Sequence, residues 1–567
     1  MEQMDLQEKV RRQYEKTGKP ICRAGEIREE MLPMPDGARL LTEICLPEGL
    51  ADEAFPVILM RSCSPSSREE RELVRKEYAC RGFGFVLQWC RGTGGSEGVW
   101  EPNVNERADG LATLDWLSAQ PWVKNIGYWG DSYLALTGWC MADAVPEKVK
   151  TMVLGVYGTE RFTSAYKDGL FRQDVLTHWA KENAGKPVDA DTMESYRYRP
   201  QVEVDEALWG VRLPWYRDWI THTNANDPYW QQGFWGMLHN IPAQVKIPLF
   251  IREGWYDHHL GSALKTYDAL PEEIRRKSLL QIGPWNHIYR AVIPQEKSEH
   301  ALERDVVGIV DWFRAVLMRG ETPKGGVQEY VIGADRWITR SSRAESGKSR
   351  VFYAGADSRT LGDIPPETDS KVSYLYDPEN PVPSHGAESL LRDLQENGSL
   401  VQPGPNWRSD VISFVSAPLD ADFTCDGVIR ARLFVSSDAQ DTAFTAKVME
   451  IKPDGTSVNV RSGITTLAYR MDSPVRRTYT PGETVEVRID LWDIAWRFAA
   501  GSRIRLDVSS SDFPQYSVHT RLYYFSDLDT DHIRDTYNKR LLPLGFELTE
   551  ERWTSNGVEI VDYLWIN

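Results

Sequence analysis

Residues Gly127 to Trp139 read Gly-Tyr-Trp-Gly-Asp-Ser-Tyr-Leu-Ala-Leu-Thr-Gly-Trp, one serine between a short apolar run and an apolar, helix-like segment. A strand, a tight turn and a helix with Ser132 at the apex would hold that hydroxyl clear of a sheet in a strained backbone. The same turn aims the following backbone N–H groups, Tyr133 first, at one point. The spelling departs from Gly-x-Ser-x-Gly at Leu134, and Ala135 beside it is small enough for the helix to pass close to a neighbouring strand. A serine hydroxyl is a poor nucleophile until a base takes its proton, and a histidine base needs a carboxylate to orient it. In elbow-type hydrolases the order is serine, acid, histidine, each just after a strand. With ten histidines the search is short. Asp257, in Gly-Trp-Tyr-Asp, follows the apolar run Pro248 to Ile251, and His287, in Gly-Pro-Trp-Asn-His, follows a run ending at Ile282. Order and placement fit a triad of Ser132, Asp257 and His287, with the Tyr133 N–H as oxyanion donor.

Such a triad needs a sheet to position it. Pro56 to Met60, Phe83 to Gln88 and Val149 to Val156 are nearly continuous apolar runs, the pattern of strands covered on both faces. Asp36-Gly37 marks a hairpin turn, and Ala108, Leu111, Leu114 and Leu117 predict one apolar helix face. Strands alternating with helices predict an α/β sheet. From about Arg161 to His239 strand-like runs disappear, and tryptophans including Trp179 and Trp219 appear among polar helical segments. That is too long for a structureless loop, so an inserted helical cap is expected. Beyond Gly325 the period becomes two, as in Ile429, Ala431, Leu433 and Val435, which predicts an antiparallel sandwich of jelly-roll type. The expected organisation is a sheet domain over 1–160 and 244–325 with an N-terminal arm over 1–25, a cap over 161–243 and a sandwich over 326–567.

Composition narrows the function. At 567 residues, 41% hydrophobic and 26% charged, the chain is long enough for two or three domains with large cores. A net charge of −17 repels phosphate backbones, which argues against nucleic-acid binding. Seven scattered cysteines without a Cys-x-x-Cys pair suit a reducing compartment, and neither a leader-like nor a membrane-spanning apolar block is apparent. A cytoplasmic protein without membrane attachment is the expectation, and a homodimer is an assembly to test.

The chain also resembles the CocE/NonD hydrolases. The resemblance rests on the Ser132, Asp257 and His287 motifs, on Arg91-Gly-Thr-Gly-Gly-Ser-Glu-Gly98, on Gly333-Ala-Asp-Arg-Trp337, on Asp441-Thr-Ala-Phe-Thr-Ala-Lys447 and on Ser509-Ser-Ser-Asp-Phe-Pro514. It implies an α/β-hydrolase domain with a helical cap and a C-terminal all-β jelly roll. It also implies a cofactor-independent serine hydrolase of a small ester, amide or short peptide. Where that family commonly carries Arg-x-Pro-Tyr, with the tyrosine hydroxyl as an oxyanion donor, this chain has Arg61-Ser-Cys-Ser64, so Ser64 stands in the tyrosine's place. Trp89 likewise replaces an aspartate before the Arg-Gly loop.

Trp179, Trp255 and His258 are the expected substrate contacts. Gly92 to Gly98 lacks the spacing of a phosphate loop and is expected to be a turn. His258 and His259 are expected to point apart on an extended segment, so no metal site is anticipated. Asp168, Asp174 and Glu182 could hold a substrate amine in a reading akin to the X-Pro dipeptidyl-peptidases, although solvated helix charges are the simpler view. A third reading, an inert hydrolase scaffold used for binding, is motivated by Ser64.

Overall fold

The computed structural model describes residues 6–519 apart from 52, 294–297, 299, 303, 344–348, 368–369, 387 and 389–396, together with the backbone of 556–561 and 564–566. Strands β1 (Arg28–Pro33) and β2 (Arg39–Cys45) form the hairpin expected around Asp36-Gly37. They are followed by β3 (Phe55–Ser62), β4 (Gly84–Trp89), β5 (Val123–Asp131), β6 (Val149–Gly155), β7 (Leu249–Tyr256) and β8 (Leu279–Asn286). The order across the sheet is β1-β2-β4-β3-β5-β6-β7-β8, and β3 to β8 are mutually parallel. Every residue of β3, β4 and β7 is buried, which is why these strands read as continuous apolar runs rather than alternating ones.

The sheet does not stop at residue 325. Strands β9 (Gly326–Val331) and β10 (Arg336–Arg340), expected in the sandwich, extend it past β8, β9 parallel and β10 antiparallel. They alternate weakly and lie next to the period-two region, so pattern alone assigns them to the wrong layer.

Helix α1 (Leu6–Tyr14) docks the N-terminal arm: Val10 and Tyr14 are buried, and Arg81 stacks its guanidinium 5.5 Å from the Tyr14 ring. Helix α2 (Arg68–Ala79) follows β3. Helix α3 (Glu106–Ala119) forms as expected, but its buried face is turned from the predicted one. Ala108 is exposed, whereas Glu106 and Asp109 point inward beside Arg61, itself fully buried and 3.3 Å from the Glu106 carboxylate. A buried guanidinium needs anions and acceptors, and satisfying it outweighs the gain from burying an alanine methyl.

Between β6 and β7 the chain forms mostly short helices: α5 (Arg161–Ala165), α6 (Gln173–Glu182) and others such as Pro214–Thr221 and Gly233–Asn240. Helix α4 (Tyr133–Trp139), which follows Ser132, precedes them. The C-terminal part is antiparallel and β-rich: Phe423–Ser437 pairs with Val485–Phe498, and Ala443–Ile451 lies between Ser457–Thr466 and Arg503–Ser509. Ile429, Ala431, Leu433 and Val435 are all buried, as their alternation predicts. This layer packs against the far end of β7, where the Tyr256 hydroxyl donates to the Val460 carbonyl at 3.2 Å. Among the described residues no helix is long and apolar enough to cross a membrane. No disulfide joins any of the seven cysteines.

Candidate active site

Parallel strands put their C-terminal ends on one edge, so β5, β7 and β8 deliver Ser132, Asp257 and His287 to the same crevice. Ser132 sits at φ 57° and ψ −126°, the strained geometry of a sharp turn. Its N–H donates to the Gly155 carbonyl of β6 at 2.9 Å. Gly130 makes the turn feasible, because a Cβ there would run into the Leu134 backbone. With that space kept open at position 130, Leu134 is accommodated where the usual elbow has its second glycine.

His287 follows β8 directly, and its Nε2 lies 2.9 Å from Ser132 Oγ. Its Nδ1 lies 2.6 Å from Asp257 Oδ2. The other Asp257 oxygen accepts the His259 N–H at 2.6 Å, so both oxygens of this fully buried carboxylate are engaged. With Asp257 accepting at Nδ1, the proton of neutral His287 sits there and Nε2 faces the serine as an acceptor.

The Tyr133 N–H opens α4 and therefore has no intrahelical acceptor. The Tyr133 phenol is committed elsewhere: it donates to Glu106 at 2.9 Å and accepts the Asn103 N–H at 3.0 Å. Glu106 thus links Arg61 to the residue after Ser132. Ser64 lies on the wall of the same crevice, where its carbonyl accepts the Ser67 hydroxyl at 3.1 Å.

The crevice is a cavity of about 680 Å³ roofed by the cap. Trp179 lines it and stacks on Tyr133 with ring centroids 5.8 Å apart and planes 24° from parallel. Trp215 and Trp219 pack behind Trp179 at 5.6 and 5.7 Å. Trp255 does not belong there. It is 1% exposed, and its indole N–H donates to the Tyr330 carbonyl of β9 at 2.7 Å. Because both faces of β7 are buried, pattern could not tell which face Trp255 would take.

His258 and His259 do not point apart. The segment is a turn entering the helix Leu260–Ala269, and their rings lie 4.3 Å apart. His258 lines the cavity and packs against His287 with ring centroids 4.5 Å apart and planes tilted by 35°, while His259 Nδ1 bonds the Ser164 hydroxyl at 2.8 Å. Burial first, then neighbouring positive groups, holds both well below the ordinary histidine range, so they are neutral imidazoles. The ligand-type atoms of Asp257, His258 and His287 lie within 4.8 Å of one another, but the Asp257 oxygens are already bonded as described.

Pattern reasoning missed several residues. Glu253 lies fully buried on β7, and burial followed by the Asp257 charge pushes it well above the usual carboxylate range. Tyr289, two residues beyond His287, donates to Asp131, and Arg161 enters the cavity from α5. The candidate cap acids are scattered. Asp168, half-buried beside Lys167, and Asp174, fully buried, lie away from the cavity lining, and Glu182 lines it beside His178 at 3.1 Å. The loop from Gly92 to Gly98 is a turn over Trp89, whose ring a Cβ on Gly94 would strike.

Residues 36–289 match the X-Pro dipeptidyl-peptidase (S15 family) profile, and 320–536 match the X-Pro dipeptidyl-peptidase C-terminal non-catalytic domain. The chain is 30% identical over 537 residues to the cocaine esterase of Rhodococcus sp. (strain MB1 Bresler), spanning 86% of this chain and 91% of that protein. Among solved structures, an α-amino acid ester hydrolase shares the fold with a TM-score of 0.78 at 20% identity over 97% of both chains. An aminopeptidase from the marine sediment archaeon Thaumarchaeota archaeon does so at 0.76 and 22% identity, over 95% of this chain and 96% of that one. Matched almost end to end by such a relative, the chain belongs to the CocE/NonD family of serine hydrolases, enzymes that cleave ester or amide bonds.

Proposed function

We propose that Ser132 is the nucleophile of this hydrolase, His287 its base and then its acid, and Asp257 the group that orients the imidazole. The reading is carried by one chain of contacts, 2.9 Å from Ser132 Oγ to His287 Nε2 and 2.6 Å from His287 Nδ1 to Asp257. The serine proton passes to Nε2 as Oγ attacks the carbonyl carbon. The Tyr133 N–H stabilises the oxyanion, and His287 returns the proton to the leaving alcohol or amine. Water, deprotonated by the same imidazole, then releases the acid from the acyl-enzyme. Trp179 walls an apolar subsite beside the nucleophile.

An ester is favoured over a peptide amine as substrate. An aminopeptidase-like site needs carboxylates free to take an ammonium group, whereas Asp168 and Asp174 lie off the cavity and Glu182 is paired. The similarity to cocaine esterase points the same way. An inert scaffold is disfavoured by the intact hydrogen-bonded triad. A fluorophosphonate probe should label one peptide, the one containing Ser132; label found elsewhere, or none, would refute the nucleophile assignment.

A further inference from the structure

Two arginines on the cavity wall make no ion pair among the described residues. Arg71 on α2 donates from Nε to the Ser67 hydroxyl at 2.6 Å and from Nη1 toward Met60 Sδ at 3.6 Å. Arg161, the first residue of α5, packs its guanidinium carbon 5.0 Å from the Trp219 ring centroid and 5.7 Å from that of Trp235. Neither has a carboxylate partner among the described residues. The acids on the same wall are engaged: Glu70 with Arg304 at 3.0 Å, Asp131 with Tyr289 at 2.7 Å and Glu182 with His178 at 3.1 Å. In a chain of net charge −17, a crevice with surplus arginine does not follow from composition.

Arg161 is the better placed of the two. It is only 9% exposed, and its Nε is buried without a hydrogen-bond partner. Two indole faces fix the plane of the guanidinium, and a guanidinium cannot escape burial by losing its proton. Tyr157, which hydrogen-bonds to it, and the neutral His259 adjoin it. Both line the cavity, Arg161 from α5, which follows β6, and Arg71 from α2, which follows β3, and Arg161 acts on His258 and His259 beside the triad. A desolvated, oriented fork of N–H donors facing a cavity suits a planar anion.

We infer that the ester or amide cleaved by this enzyme carries a carboxylate, held by Arg161 while Ser132 attacks the scissile carbonyl. The inference rests on the assignment of Ser132 as nucleophile.

The test compares matched anionic and neutral esters. On the acyl side, 4-nitrophenyl hydrogen glutarate is set against 4-nitrophenyl valerate; on the leaving side, 4-carboxyphenyl butyrate against 4-carbamoylphenyl butyrate. In at least one pair the anionic ester should have a kcat/KM about tenfold or more above its neutral partner, as a charge-assisted pair predicts. That ratio should collapse in Arg161→Gln and be partly retained in Arg161→Lys. A wild-type ratio of one or less in both pairs would overturn the inference. So would an unchanged ratio in Arg161→Gln, even if both rates fall together, since that pattern marks a purely structural role. If no ester is cleaved and fluorophosphonate leaves Ser132 unlabelled, the nucleophile assignment fails and this inference with it.

Discussion

The Tyr289 hydroxyl donates to Asp131 Oδ1 at 2.7 Å, so the loop that carries His287 is tied to the residue immediately before Ser132. Tyr289 is 6% exposed, and burial, then the Asp131 charge, pushes its phenol well above the ordinary range, which keeps it a neutral donor. The Arg252 guanidinium lies 4.5 Å from its ring centroid and holds the ring in place. Serine and base come from strands three places apart, and this strut spans the gap between their loops.

Tyr289→Phe keeps the ring and removes the strut. We expect kcat to fall about tenfold with a smaller change in KM, because a looser imidazole costs alignment rather than binding. The cost in stability should be about 1 kcal/mol. Michaelis curves and urea melts check this, and a wild-type kcat would show that the triad needs no such tie.

Glu253 predicts a pH signature in stability. Its native pKa is raised, so between its ordinary value of 4.5 and the native value the unfolded chain has lost a proton that the folded chain keeps. Ionisation of the unfolded state then favours unfolding, by about 1.4 kcal/mol for each pH unit in that window. Glu253→Gln has no such ionisation, so its stability relative to wild type should grow as pH rises from 5 to 8 in urea melts. A constant difference would mean that Glu253 ionises normally in the fold.

His258 and His259 act oppositely. Their native pKa values are lowered, so as pH falls below their ordinary value of 6.5 the unfolded state gains protons that the folded state refuses. Stability should therefore drop on acidification below pH 6.5, with a slope of up to two protons. A His258→Asn variant should have a shallower acid limb, and an identical limb would contradict the buried, neutral assignment.

Ser64 lies on the cavity wall where the CocE/NonD pattern places a tyrosine donor. Ser64→Tyr should raise kcat on short p-nitrophenyl esters, by up to about 100-fold if the phenol reaches the oxyanion, since one such donor is worth about 3 kcal/mol. A fall in kcat with a higher KM would show instead that the space is used by substrate.

The convergence of Ser132, Asp257 and His287 was legible because each sits next to a strong local signal. Ser132 follows a buried strand and precedes an apolar helix, and Asp257 and His287 end apolar runs in the right order. What stayed hidden depends on contacts between distant segments. The face of Trp255 is undetermined on a strand buried on both sides. The inward turn of Glu106 and Asp109 follows from Arg61, 45 residues from Glu106 in sequence. Strands β9 and β10 belong to the first sheet because β8 offers an edge, which no periodicity records. Arg161 looks like any polar cap residue until the tryptophans close around it.

The most direct measurement is the turnover of a p-nitrophenyl ester by pure Ser132→Ala protein beside wild type. A loss of kcat by about 10⁴-fold or more, with the fold intact by circular dichroism, is the outcome expected of a nucleophile held by His287. Turnover by the alanine protein within tenfold of wild type would contradict the account.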